Sequence, residues 1–271
     1  MAKIKIYVNE RCVDVDDKST TFSVKETFKK QADIVILNGF IINKNTALKD
    51  KDRLTLIKRG EIPTQKELEA LMIARHTPGV HQKLKKATVA IAGLGGLGSN
   101  VAISLARLGI GHLKLYDYDV VEPSNLNRQQ YYVKHIGMPK TKALQSLIKE
   151  INPFVNVTEK EVLINEDNIE TLFYDADIIV EAFDSPKNKA SLINTVLLKM
   201  PHKIVVAASG MAGYFSNNTI TTKKVTNNFY LIGDGISEAK PGCGLMAPRV
   251  AIAANHQANT VLRILMDIKD V

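Results

Sequence analysis

Apolar and polar residues alternate along Lys3-Ile-Lys-Ile-Tyr-Val8, and a period of two places every second side chain on one face of a strand. Glu10-Arg11 permits a turn into a second short strand, Cys12-Val-Asp-Val15, on which Cys12 is expected in the core. Ser23 to Gln31 is compatible with a helix, and the unbroken apolar run Ile34-Val-Ile-Leu37 reads as a buried strand. Asn38-Gly39 is the strongest hairpin signal in the chain, because the favoured two-residue turn needs positive φ at both positions. Phe40-Ile-Ile42 and Asp52-Arg-Leu-Thr-Leu-Ile57 complete the set. Strand, hairpin, helix and further strands in this order predict a small β-grasp (ubiquitin-like) domain over residues 1–59.

Residues 60–76 read as a linker and a helix. Thr64 and Glu67 have capping-box spacing, and Leu68, Leu71 and Met72 form an apolar stripe. The helix delivers Arg75 into the predicted loop Thr77-Pro78-Gly79. Within 77–271 the pattern changes to alternating strands and helices. Strands are predicted at Thr88–Ala92, His112–Asp117, Asn156–Val162, Ile178–Glu181 and Ile204–Ala208, with helices at Leu97–Leu108, Thr141–Ile151, Asp167–Phe173 and Lys187–Lys199 between them. This alternation implies an α/β domain: a Rossmann-like, mainly parallel sheet with helices on both faces. Tyr214–Thr222 is expected to add an edge strand, Lys223-Lys224 a surface turn, and Leu245–Met266 a long final helix.

Composition adjusts this picture only slightly. The 271 residues are 45% hydrophobic and 24% charged, ordinary for a globular chain. No run reaches the roughly 18 apolar residues of a membrane helix, and the N-terminus lacks a signal peptide's apolar centre, so a cytoplasmic location without membrane contact is expected. The only cysteines are Cys12 and Cys243, too few for a disulfide framework. The formal charge of +8 invites a nucleic-acid reading. However, the lysines are scattered and Trp is absent, so no stacking platform or basic stripe is present and no nucleic-acid partner is expected.

The candidate chemistry begins at Val89-Ala-Ile-Ala-Gly93-Leu-Gly95-Gly96-Leu-Gly98, which follows a strand and opens a helix. Glycines there allow a tight turn and let backbone N–H groups approach phosphate oxygens at the helix's positive end. Asp117 stands 24 residues after Gly93, at the end of the next strand, where a carboxylate can hold ribose hydroxyls. The loop alone fits NAD or ATP. Arg128 and Lys140 favour ATP, because hydride transfer gives two such cations no task, whereas release of pyrophosphate needs positive charge. Mg²⁺ needs few carboxylates besides the phosphates, and Asp184 lies just past a strand, where such sheets bind ligands.

Taken in order, the glycine loop, Asp117-Tyr-Asp119, Ser124-Asn125-Leu-Asn-Arg128-Gln129, Gly137-Met-Pro139-Lys140 and Phe183-Asp184 resemble a known family. They are similar to the adenylating enzymes that activate ubiquitin-like and sulfur-carrier proteins, the ThiF/MoeB/HesA branch of the ubiquitin-activating-enzyme-like family. The resemblance runs from Met72 to Met266, and residues 1–59 resemble a ThiS-like domain fused in front. It implies a homodimer that adenylates the C-terminal glycine carboxylate of a ThiS-like sulfur carrier with ATP and Mg²⁺, in thiamine (thiazole) biosynthesis. Gly93, Gly95, Gly96, Asp117, Asp119, Asn125, Arg128 and Lys140 would then bind ATP, Arg128 and Lys140 would neutralise charge, and Asp184 would hold Mg²⁺. Arg75 resembles an arginine that reaches the partner protomer's site, and Cys243 one that forms a covalent sulfur link to the carrier. The family's paired Cys-x-x-Cys motifs are missing, with Tyr230-Leu-Ile-Gly-Asp-Gly where the first would stand, so structural zinc is not expected. Arg59-Gly60 runs on into Glu61, so the front domain has no free Gly-Gly tail; it is expected to dock or regulate. A molybdopterin-type carrier, a tRNA-modification substrate and a non-catalytic scaffold remain as alternatives.

Overall fold

The computed structural model describes residues 2–77 and 79–271; Pro78 of the predicted loop lies outside them. The chain forms two compact units, Met1–Pro78 and Gly79–Val271.

In the first unit, β1 (Lys3–Val8), β2 (Arg11–Asp16), α1 (Thr21–Lys29), β3 (Ile34–Leu37), β4 (Phe40–Ile41) and β5 (Arg53–Ile57) build a sheet of order β2-β1-β5-β3-β4. β1 and β5 run parallel; the other pairs are antiparallel. The core is Ile6, Val8, Val24, Ala32, Val35, Leu48, Leu54 and Leu56. Asn38 and Gly39 take φ of 50° and 90°, as the hairpin turn demands. The first hairpin turns at Asn9-Glu10 (φ 46° and 63°), one residue before the expected place. Cys12 is exposed, contrary to expectation. It pairs with Tyr7, while Val13 pairs with the buried Ile6, so strand alternation points Cys12 away from the core. α1 starts at Thr21 because Thr20 and Ser23 close a reciprocal capping box.

A second helix, α2 (Gln65–Ile73), also belongs to this unit. Thr64 accepts from the Glu67 N–H (3.3 Å), but the Glu67 carboxylate does not complete a box. It accepts from Asn9 Nδ2 and Lys29 Nζ instead, tying α2 to the β-grasp fold.

The second unit contains α3 (Val80–Leu84), β6 (Thr88–Ala92), α4 (Gly96–Leu108), β7 (His112–Asp117), α5 (Lys140–Ile151), β8 (Asn156–Glu161), α6 (Ile169–Phe173), β9 (Ile178–Glu181), α7 (Pro186–Lys199), β10 (Ile204–Ala208), β11 (Thr221–Thr226), β12 (Phe229–Gly233) and α8 (Ala247–Leu265). The sheet order is β11-β12-β10-β9-β6-β7-β8, and only β11 is antiparallel to its neighbour. The near-continuous apolar strands are buried on both faces: one core cluster gathers α4, α5 and α8, the other α6 and α7. From β6 the chain builds outward through β7 and β8, then returns to β9 on the other side. That reversal between β6 and β9 is a topological switch point, where such sheets open a ligand crevice at the strands' C-terminal ends.

Two expectations fail at the far edge. Tyr214 to Ile220 is a loop with a short 3₁₀ turn (Asn217–Thr219), and the strand begins only at Thr221. The Arg249 guanidinium holds this loop by donating to Phe215 O (3.0 Å), Ser216 O (2.9 Å) and Thr219 Oγ1 (2.9 Å). Lys223 and Lys224 lie within β11, on the open edge of the sheet, where charged side chains discourage further strand pairing. The turn is at Asn227-Asn228, and β12 follows unannounced, with Tyr230 and Ile232 buried.

Candidate functional site at the nucleotide loop

The glycine loop leaves β6 at Gly93, whose φ of 89° and close approach to Ala182 O (2.9 Å from a Cβ built there) exclude a side chain. At Gly98 a Cβ would fall 1.9 Å from Gly93 O, so this glycine lets α4 pack onto the loop itself. Gly95 and Gly96 form the start of α4 and leave its first N–H groups available to an anion.

Asp117 ends β7 and fixes the loop. Its Oδ2 accepts from Leu94 N (2.6 Å) and its Oδ1 from Asp119 N (2.8 Å). Tyr131 donates to Leu94 O (2.8 Å), so the loop's central peptide is held from both sides. Burial raises the Asp117 carboxyl above its ordinary value, although N–H groups and the Lys140 charge oppose the shift. Burial also pushes the Tyr131 phenol well up, keeping it a donor.

Lys140 is the first residue of α5, nearly buried, with its Nζ 2.7 Å from Asp119 Oδ2. Asn125 lies in a 3₁₀ turn (Pro123–Asn127) and its Oδ1 accepts from Glu122 N (3.1 Å), capping its own turn. Arg128 closes that turn, and its side-chain carbons pass over Gly96, where a Cβ would meet Cγ at 3.4 Å. The guanidinium rests on Asn127 Oδ1 (2.7 Å) and Ser124 O (3.4 Å). Hydrogen bonds and contacts therefore link Gly96, Arg128 and Asn125 on one side and Asp117, Asp119 and Lys140 on the other, all on segments that leave the C-terminal ends of β6 and β7.

Asp184 is exposed, three residues past β9. Glu181, at the end of that strand, is fully buried and paired with Lys189 (2.5 Å). Cys243 occupies another loop, before α8; a Cβ at Gly213 would lie 3.2 Å from its Sγ. Arg75 is exposed and belongs to the first unit. Sequence reasoning missed Ser99, Asn100 and Gln130, which join α4 to the Arg128 segment, and Arg249, buried at 3% exposure. A cation in the first turn of a helix opposes the dipole, and that was a readable hint that Arg249 needs an acidic partner.

Comparison with known proteins agrees with this fold. Residues 4–60 match a ThiS-like ubiquitin family. The chain is 31% identical over 209 residues to the adenylyltransferase and sulfurtransferase UBA4 of Candida glabrata, covering 73% of this chain and 47% of that one. It is 31% identical over 194 residues to the sulfur carrier protein ThiS adenylyltransferase of Bacillus subtilis, covering 69% and 57%. The chain thus spans about half the length of the curated relatives it matches. Among solved structures, the E. coli tRNA N6-threonylcarbamoyladenosine dehydratase TcdA in complex with ATP shares the fold, with TM-score 0.66, 22% identity and coverage of 72% and 92%. E. coli MccB with ATP follows at TM-score 0.54, 26% identity and coverage of 70% and 59%. Residues 69–271, three quarters of the sequence, match the ThiF family, and the chain belongs to it.

Proposed function

We propose that this chain is an adenylyltransferase: it uses ATP to adenylate the C-terminal glycine carboxylate of a ThiS-like sulfur carrier, for thiamine (thiazole) biosynthesis. The observation that carries this reading is the set gathered around the glycine loop at the switch point: a buried carboxylate, Asp117, fixed to the loop, Lys140 paired with the neighbouring Asp119, and Arg128 crossing the loop at Gly96. In the reaction a carboxylate oxygen of the carrier attacks the α-phosphorus of ATP. The new acyl–phosphate bond replaces the bond to the β-phosphate, and pyrophosphate leaves with its electron pair. The attacking carboxylate is already ionised at neutral pH, so the site needs no general base. Its work is positioning and charge neutralisation.

Asp117 accepts from the ribose hydroxyls, and the N–H groups of Gly95 and Gly96 face the phosphates. Asn125 and Arg128 reach the phosphates, and Lys140 leaves Asp119 to meet the charge that develops on them. Asp184 offers exposed carboxylate oxygens of the kind Mg²⁺ takes, beside the β9 end of the crevice. When bound there, Mg²⁺ supplies further neutralisation of the polyphosphate. Arg75 acts in the partner protomer of a homodimer, and Cys243 is the group for a covalent sulfur link to the carrier: once it carries a persulfide charged by a separate sulfur donor, the outer sulfur displaces AMP from the acyl-adenylate. The front domain docks or regulates rather than serving as substrate, since Gly60 continues into Glu61. We place the enzyme in the cytoplasm; among the described residues no helix is long and apolar enough to cross a membrane.

The test is pyrophosphate–ATP exchange with Mg²⁺ and a purified ThiS-type carrier, beside the same carrier lacking its Gly-Gly tail. Exchange that requires the tail is the expected result. Exchange with neither, from a folded protein that binds ATP, would overturn the reading in favour of a scaffold. A second carrier belongs in the assay because several relatives are adenylyltransferases and sulfurtransferases named UBA4 or MOCS3, and a preference for a carrier other than ThiS would move the pathway assignment.

A further inference from the structure

Ser99 and Asn100 are adjacent in α4, and both are buried. Asparagine is a poor helix former because its amide competes for backbone groups, so a buried one needs a use for that amide. Here every part of it is used. Asn100 Nδ2 donates to Gly96 O (2.6 Å) and to Arg128 O (3.2 Å), while its Oδ1 accepts from Gln130 Nε2 (2.6 Å). Ser99 repeats the pattern one residue earlier: its Oγ donates to Gly95 O (2.6 Å) and accepts from Gln130 N (3.1 Å). Three of these five bonds cross from the start of α4 to the Arg128–Gln130 segment. The other two hold the carbonyls of Gly95 and Gly96.

Arg128 lacks comparable anchorage of its own. Its guanidinium bonds only to Asn127 and Ser124, within four residues, and its Nε is buried without a partner among the described residues. What fixes the residue to the glycine loop is its backbone carbonyl, through Asn100. From this geometry we propose that Asn100, assisted by Ser99 and Gln130, is a positioning residue that sets Arg128 over Gly96 for the ATP phosphates. The inference rests on the reading of Arg128 given above. It adds that the glycine loop and the arginine are one preassembled body before ATP arrives.

The experiment is MgATP titration calorimetry on the full chain, with thermal unfolding of each variant. Asn100→Ala should weaken MgATP by about tenfold and Gln130→Ala by about threefold, in the range of couplings within one hydrogen-bond network. Neither should weaken it further in an Arg128→Ala background, because the arginine they place is gone. A merely structural role would cost the same factor in both backgrounds, and that result overturns the proposal, as does unchanged affinity in both single variants. Should Asn100→Ala fail to fold, Gln130→Ala decides, since its side chain is exposed. If Arg128→Ala binds MgATP like the parent, the reading of the site itself has failed, which is a different result from a lack of coupling.

Discussion

Asn9 in the first unit and Gln129 in the second are both amides buried to 8% exposure, yet they are used differently. Asn9 Oδ1 accepts from Leu56 N (2.8 Å), and its Nδ2 donates to Leu56 O (3.2 Å) and to Glu67. It stitches a hairpin turn to a neighbouring strand and to α2, and no polar capacity is left over. Gln129 Oε1, by contrast, is buried without a partner among the described residues, and so are Arg128 Nε beside it and Thr141 Oγ1 next to Lys140. An unpaired buried polar atom costs roughly 1–3 kcal/mol, so a cluster of them is retained only where something else completes it. The β-grasp unit consumes its polar groups in folding. The crevice of the ThiF unit keeps some in reserve. The second unit also holds Ser237 Oγ, Arg249 Nε and Gln257 Oε1 without a partner among the described residues, so what points to a ligand is the clustering of three such atoms at Arg128, Gln129 and Thr141, beside the glycine loop and Lys140.

The comparison breaks most visibly if the cations beside the reserve groups prove structural. Lys140→Ala and Arg128→Ala should each lower adenylation by about 10²-fold or more, the scale of losing one charge-stabilising donor in a preorganised site. Their unfolding transitions should stay near that of the parent. Near-normal turnover in either variant would remove that residue from the active set.

At a consumed group the expected loss is in stability. Asn9→Ala should cost about 3 kcal/mol: roughly 2 for the Leu56 N–H and C=O left unpaired, and roughly 1 for forcing alanine to the left-handed φ that asparagine tolerates. Denaturant midpoints measure this directly. MgATP affinity should not change; a parallel loss of affinity would show that the two classes of polar group are not separable.

How far the sequence reveals this division follows from how local each signal is. β6, β7, β9 and β10 have the expected bounds, because a short apolar run between turn residues suffices to mark a buried parallel strand. Asn38-Gly39 turns as expected for an equally local reason, the φ preference of two residues. Cys12 faces outward because one residue of turn register reverses every side chain after it. The Tyr214–Ile220 loop is not legible locally because its conformation depends on Arg249, some thirty residues away, and β12 is not because its partner β10 is distant in the chain. The same limit applies at the site. The residue types of the glycine loop, Asp117, Arg128 and Lys140 are visible in order and spacing, whereas the clamp of Ser99, Asn100 and Gln130 depends on which carbonyls lie opposite a helix.

The Arg249–Asp234 pair shows that polar groups of the second unit are used in folding too, although Arg249 Nε itself has no partner among the described residues. This buried pair (2.7 Å) joins the loop after β10 to the segment after β12. Burial pushes the Asp234 carboxyl up, but the Ser237 and Ile236 N–H groups and the Arg249 guanidinium outweigh it and bring the pKa down to about 2. A carboxylate lowered by folding stabilises the native state above its unfolded pKa, and the gain is lost as pH falls through the folded value. Between pH of about 4 and about 2 the parent should therefore lose about 2 kcal/mol that Asp234→Asn does not lose. Urea midpoints across that window, compared between the two proteins, test it. Equal slopes would mean that the pair does not hold the loops.

The smallest expected effect separates the two acids on Lys29. Glu61 lies 3.0 Å from its Nζ but is 40% exposed, while Glu67 lies at 3.4 Å and is 17% exposed. Burial alone would depress the lysine; the two carboxylates overcome it, so its pKa is raised. Its contribution is therefore complete at neutral pH and is lost only as pH rises through the raised value. Solvent screens the Glu61 pair, so Glu61→Gln should cost at most about 1 kcal/mol. Glu67→Gln should cost more, despite the longer distance, because Glu67 also accepts from Asn9, and part of that cost should vanish in an Asn9→Ala background. If instead the two glutamines cost the same and neither depends on Asn9, α2 is bound only by its charges, and the polar groups of the first unit are less fully consumed than the bonds at Asn9 imply.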